Sequence, residues 1–256
     1  MKKFLLDLIE YIIDSLLAND KKETVEDNEP VMEQIEPPQE EIKEEPIIEQ
    51  EEPKQPEKPI ENTSNEVYKM LTLKERQTYL KTLGLYDKKI DGIVGNGHKK
   101  AVSQFNVIFL NKNVETYFEQ TDKLLREFYA LYLADPFMTN DDWKYFKNLQ
   151  YKEYACKCKK YCNGHPHRVH KRLIMEDQYL RNFFNAPLTI SSGDRCKDHN
   201  KNVGGVSNSK HMGCTGSDKK VKGKSAKEVL AVIKTLAFNR YCYAINSTYV
   251  HGDVKK

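Results

Sequence analysis

Apolar residues recur at helical spacing from the first turn of the chain. Phe4, Leu5, Leu8, Ile9, Ile12, Ile13 and Leu16 line one face, and Asp7, Glu10 and Asp14 line the other. The pattern predicts an amphipathic helix over residues 1–19. It then lapses until Val67, Met70, Leu71 and Leu73, which lead into a helix over residues 74–83 stopped by Gly84. Gly92, Gly95 and Gly97 mark tight turns, and a second helix follows with Ala101, Val102 and Phe105 facing inward. Thr121 to Leu133 reads as a third helix, with Leu124, Leu125, Phe128, Leu131 and Tyr132 on its apolar face and Pro136 as its stop. A short helix capped by Thr139 or Asn140 would carry Trp143, Phe146 and Leu149. Val169, Leu173, Leu180 and Phe184 predict a further helix of about 16 residues, ended by Asn185 and Pro187.

Beyond Pro187 shorter elements take over. Leu188 to Ser191 predicts a short strand. Ser225 with Glu228 forms a capping box that opens a helix running through Leu236. Tyr241, Tyr243 and Ile245 alternate as a strand, Asn246-Ser247 suits a turn, and Tyr249 to Val254 reads as a last strand. Strand geometry puts His251 and Asp253 on the same face. The expected class is α+β: a small antiparallel sheet with helices, preceded by a small all-α domain and an acidic disordered linker. The expected division is 1–19 helix, 20–63 linker, 64–112 helical domain, 113–142 helical connector and 143–256 sheet-containing domain.

Charge sharpens this division. The net charge is +3, but residues 20–63 alone carry 16 acidic and 5 basic side chains, a local −11 that leaves +14 elsewhere. The same stretch holds seven of the ten prolines. Such a segment buries too little apolar surface to offset chain entropy, so it is expected to be an extended spacer. The basic remainder suits an anionic partner: nucleic acid, a membrane surface or a bacterial cell wall. The acids at positions 7, 10 and 14 rule out an ordinary signal-peptide core or a membrane span there. They also make anionic lipid a poor match, which favours a protein partner or self-association for the first helix.

All six cysteines lie between Cys156 and Cys242. Disulfides, a metal cluster and free thiols all remain open on spacing alone. Cys156, Cys158 and Cys162, followed by His165, His167 and His170, offer soft ligands for a structural zinc, although a one-residue gap is tighter than usual. A second constellation consists of His211, Asp218 and His251. Two imidazoles and a carboxylate form a three-ligand set that leaves a fourth position open on a catalytic zinc. Zinc in such a set activates water and polarises a carbonyl, as amide hydrolysis requires. The bare His-x6-Asp spacing is weak evidence by itself.

Two resemblances add to this reading. Gln77, Leu80, Leu83-Gly84, Ile90-Asp91-Gly92-Ile93-Val94-Gly95 and Ala101-Val102-Ser103-Gln104-Phe105 resemble the small three-helix peptidoglycan-binding domain. His98 and Asn106 depart from its usual Thr and Gln. Leu188-Thr189-Ile190-Ser191-Ser192-Gly193-Asp194-Arg195-Cys196, then His199-Asn200, Val203-Gly204-Gly205 and Ser209-Lys210-His211, resemble the M15 family of zinc D-Ala-D-Ala carboxypeptidases and peptidoglycan endopeptidases. Tyr249-Val250-His251-Gly252-Asp253-Val254 is similar to that family's closing strand. Glu153-Tyr154-Ala155-Cys156-Lys157-Cys158 resembles a segment common in its phage and bacterial members.

The second resemblance implies zinc ligation by His211, Asp218 and His251. It implies that Arg195 polarises the scissile carbonyl and stabilises the developing oxyanion, and that Ser209 stands beside the substrate. Asp194, Cys214, Gly216 and Lys219 depart from the family pattern. So do Thr248 and Tyr249, where a catalytic Glu or His is usual, which leaves the general base unassigned. Asp253 is a candidate for it, or for the partner that orients His251. The implied activity is zinc-dependent cleavage of a stem-peptide amide bond in peptidoglycan, by a phage or bacterial lytic protein at the host cell wall, in the periplasm or on a virion. A wall-binding or virion structural protein that keeps the fold without catalysis is the alternative. No nucleic-acid-binding motif accompanies the basic charge, so no nucleic-acid partner is expected.

Overall fold

The computed structural model describes residues 68–256, which lie within one compact unit, Ser64–Lys256. The expectations for the N-terminal helix and the acidic segment fall outside the described residues. The fold is α+β, with helices packed around a four-stranded antiparallel sheet. Helices α1 (Leu73–Thr82), α2 (Asn96–Leu110) and α3 (Glu119–Ala134) come first. Thr72 and Glu75 close a reciprocal capping box at the start of α1. Two 3-10 turns follow, Asn140–Tyr145 and Tyr151–Tyr154, and then α4 (Lys171–Phe183). Strand β1 (Leu188–Ser192) and short α5 (Lys197–Asn202) lead to a 3-10 turn at Lys210–Gly213 and strand β2 (Gly216–Val221). Helix α6 (Ala226–Ile233) and strands β3 (Asn239–Ala244) and β4 (Val250–Val254) complete the chain. No helix among the described residues is long and apolar enough to cross a membrane.

Strand β2 and helix α5 form where the sequence pattern predicted no element, and three expected elements differ in extent. The segment after Thr139 forms a 3-10 helix that stops at Tyr145, so Phe146 and Leu149 enter the core from beyond it. Helix α4 starts at Lys171, because Met138 binds the Val169 carbonyl and Phe137 bridges His170, which keeps the chain extended there. Helix α6 ends at Ile233, and the buried Leu236 follows in a turn.

The sheet order is β1-β2-β4-β3. Helix α4 packs on β1, β2 and β4, and α6 packs on β2, β3 and β4. One continuous apolar core runs from Leu71 to Val254, so the N-terminal helices share it with the sheet. Arg172 of α4 donates to the Thr82 and Leu83 carbonyls at 2.7 and 3.1 Å, and Asn182 donates to Val107 at 2.6 Å. Gly84 sits at φ +85, and a Cβ there would lie 2.8 Å from Phe238 Cβ, so both the turn and the close approach require glycine.

A buried ion cluster ties α4 to β2. Lys219, fully buried, donates to Glu176 at 2.7 Å and to Asp177. Burial alone would lower the Lys219 ammonium, but Asp177 and Glu176 hold it above its ordinary value. Tyr154 and Ser217 donate to Asp177 at 2.7 and 3.3 Å. This cluster explains how a charged side chain takes the place of an apolar one directly after Asp218.

Candidate metal centre

The strand register assembles half of the site. Asp218 on β2 lies opposite His251 on β4, Ser192 on β1 lies opposite Asp218, and Tyr243 on β3 lies opposite His251. One rung thus carries Ser192, Asp218, His251 and Tyr243 across all four strands. A register shift between Ile190 and Ser192 decides which serine joins it, because the regular ladder would bring Ser191 to that place.

His211 arrives from the other direction, on the 3-10 turn before β2. Its Nδ1 donates to the Gly193 carbonyl at 2.7 Å, which leaves Nε2 as the free nitrogen, 3.2 Å from Asp218 Oδ1. His251 Nδ1 lies 2.8 Å from the same oxygen, and its Nε2 faces Asp253 Oδ2 at 3.3 Å. Donor atoms of His211, Asp218 and His251 all lie within 4.8 Å of one another. Gly193 reaches this place only as glycine, since a Cβ would stand 2.5 Å from Tyr154 Cα.

The electrostatics favour an anionic carboxylate between two imidazoles. Burial raises the Asp218 carboxyl, but hydrogen bonds with His211 and His251 outweigh it and hold the group well below the usual range. Burial lowers His251, and contact with Asp218 and Asp253 outweighs that in turn, for a net rise. Asp218 divides its oxygens: Oδ1 faces the imidazoles, and Oδ2 accepts from Arg195 Nη2 at 2.7 Å. Arg195 Nε donates to Ser192 Oγ at 2.8 Å, and Nη1 has no protein partner among the described residues.

Asp253 sits beneath His251. Arg240 grips both of its oxygens at 2.6 Å. Burial raises the Asp253 carboxyl, while His251 and Arg240 together hold it below its ordinary value. Ser209 precedes the His211 turn; its backbone carbonyl accepts from Met212 at 3.1 Å, and its side chain makes no cap bond. Thr248 is exposed and bonded to Asn246 in the β3–β4 turn, so it occupies no proton-accepting position beside His251. Cys214 adopts a left-handed conformation (φ 44, ψ 44) with its side chain buried, which accounts for the glycine usual at that place. Asp194 accepts from the His167 backbone at 2.7 Å and faces its Nδ1 at 2.8 Å.

The sequence reading did not assign Ser192, Gly193, Arg240 or Tyr243 to the site. Tyr243 stacks on His251 at 5.0 Å between ring centroids and stays half-exposed. Its alternation with Tyr241 was the available signal, but only the register aims that face at the site. A cleft of about 700 Å³ lies beside the centre, lined by His167, Asp198, Asn200, Gly205, Ser207 and Met212 among others. None of the three candidate ligands lines it; it adjoins the site through Met212, the neighbour of His211.

Two imidazoles and a carboxylate, with an arginine at the carboxylate, form a donor set that could hold a metal ion. Residues 147–253 match the family model described as Peptidase M15. That match spans β1 to β4 and every residue of the centre, and it supports a peptidase domain over this segment. No curated protein matches the chain.

Proposed function

We propose that the chain is a zinc-dependent peptidase that cleaves an amide bond in peptidoglycan stem peptides. The observation that carries this reading is the convergence of His211 Nε2, Asp218 Oδ1 and His251 Nδ1, each turned inward by a partner on its other side. The donor set suits zinc in number and type, with room for a fourth ligand. Bound zinc would supply Lewis-acid activation of water and of the scissile carbonyl.

The protein's own groups do the rest. Gly193 O and Asp253 set the tautomers and ring planes of the two histidines. Asp253 acts as an orienting group, because Arg240 occupies both its oxygens and keeps it anionic. Arg195, braced by Asp218 and Ser192, directs Nη1 at the oxygen that gains negative charge as the carbonyl is attacked. Tyr243 forms an apolar wall beside His251. The basic body of the chain favours approach to an anionic wall.

The test is digestion of purified cell walls, with released fragments read by mass spectrometry. The zinc-loaded full chain is expected to release new peptide termini, and His211→Ala is expected to release none. Zinc-loaded wild-type protein that binds walls without cutting them would overturn the enzyme reading in favour of a wall-binding protein.

A further inference from the structure

Four cysteines from two distant stretches, one of them next to Arg195 in the chain, meet in a cluster. Donor atoms of Cys156, Cys158, Cys162 and Cys196 all lie within 4.8 Å of one another. The Cys158 and Cys162 sulfurs are 3.5 Å apart. A tetrahedral zinc with Zn–S bonds of about 2.3 Å separates its sulfurs by about 3.8 Å. The 3.5 Å pair and the 4.8 Å spread of the four sulfurs are on the scale that such an ion requires.

The groups around the sulfurs fit thiolates. The Cys196 N–H points at Cys156 Sγ at 3.3 Å, the Tyr161 N–H at Cys158 Sγ at 3.4 Å, and the His199 N–H at Cys196 Sγ at 3.4 Å. His199 Nδ1 also lies 3.3 Å from Cys156 Sγ. Backbone and ring donors aimed at sulfur stabilise its negative charge, the usual surroundings of a ligating thiolate. Lys159 takes a left-handed conformation (φ 61) that curls the Cys158–Cys162 loop around this point. Cys156 and Cys196 are buried, and Cys158 and Cys162 are partly so.

The nearby histidines are engaged elsewhere. His165 stacks on Tyr151, His167 binds Asp194, and His170 caps α4. The fourth donor is Cys196, far along the chain and next to Arg195. We infer that Cys156, Cys158, Cys162 and Cys196 form a tetrathiolate zinc site, separate from the imidazole–carboxylate centre. It clamps the 156–162 loop to the turn that carries Arg195. A site with four protein ligands has no open position, so its role is structural.

The experiment is elemental analysis of the full chain purified under reducing conditions, joined to cobalt(II) substitution. Wild-type protein is expected to hold two zinc per chain, and His211→Ala to hold one. Cobalt(II)-loaded His211→Ala is expected to show sulfur-to-cobalt charge-transfer absorption, which Cys158→Ser/Cys162→Ser loses. Should the double variant not fold, the wild-type and His211→Ala spectra still decide the matter. Cobalt-loaded His211→Ala without that absorption overturns the inference. So does iron in place of zinc, or a native protein whose four sulfurs are paired as disulfides. Failure of the peptidase reading looks different: the thiolate signal persists while cell walls remain uncut.

Discussion

Asp218 and His251 stand opposite one another on β2 and β4, so the sheet ladder sets their separation; His211 and Arg195 arrive on turns, and contacts with backbone atoms set theirs. The sheet side is further pinned by Lys219 under β2 and by Arg240 on Asp253. The loop side leans on Gly193, on the bond from Arg195 N to the His211 carbonyl, and on the bond from His170 N to the Cys214 carbonyl. The sheet side is thus organised by the core itself. The loop side depends on a few local contacts, and the cysteine cluster adjoins it. Changes on the sheet side away from the ligands should therefore register as lost stability or metal affinity, and a change at Arg195 on the loop side as lost turnover with the metal retained.

The largest expected effect is on the loop side. His211→Ala removes a donor and abolishes wall digestion while circular dichroism stays native; a variant that still digests walls would break the comparison. On the sheet side, Lys219→Ala strands Glu176 and Asp177 without their cation. Loss of one partner from a buried ion pair costs about 3–5 kcal/mol, to be read as a fall in urea midpoint. Arg195→Ala removes the group assigned to the developing oxyanion. Its expected cost is a fall of about 10²–10³ in kcat with little change in bound zinc. An equal loss of zinc would move Arg195 to a purely structural role.

A pH experiment tests the loop side's anchor. Burial, reinforced by Arg172 and Lys171, lowers the His170 imidazole from 6.5 to about 4. Its Nδ1 accepts from Arg172 N at 3.2 Å, a role open only to the unprotonated nitrogen. The unfolded chain therefore takes up a proton that the folded one refuses. The stability due to this group is full above pH 6.5 and falls as the pH drops toward 4, by at most about 3 kcal/mol. Urea midpoints at pH 7 and 4.5 should show the loss in wild type, and a smaller one in His170→Asn, which can still cap α4. The smallest expected effect is on the sheet side. Asp253→Asn should weaken zinc binding about 10- to 100-fold, measured by competition with a chelator, while the fold persists.

Much of this architecture was legible in the order of residues. The capping box at Ser225, glycine and proline stops and two-residue alternation located most of the helices and strands β1, β3 and β4, because these signals act over a few neighbouring residues; β2, with Lys219 and Lys220 in its short run, carried no such signal. The three candidate ligands were legible through their motifs. The buried Lys219 was visible only as an oddity, since its partners lie on α4, more than forty positions away. Cys196 stood in a quoted motif without a role, since nothing in linear spacing joins it to Cys156.

The sequence by itself determined most of the elements, the α+β class and the types of side chain available for chemistry, because local propensity and donor chemistry are properties of the residues themselves. Only the tertiary structure decided which of them meet. The ladder register set Ser192, Asp218, His251 and Tyr243 on one rung, and a one-residue shift in β1 chose which serine joined it. The packing of the loop at Cys156 against the turn at Cys196 replaced three nearby histidines with one distant cysteine. Register and loop packing are settled by the burial of the whole core, and no short stretch of chain encodes them alone.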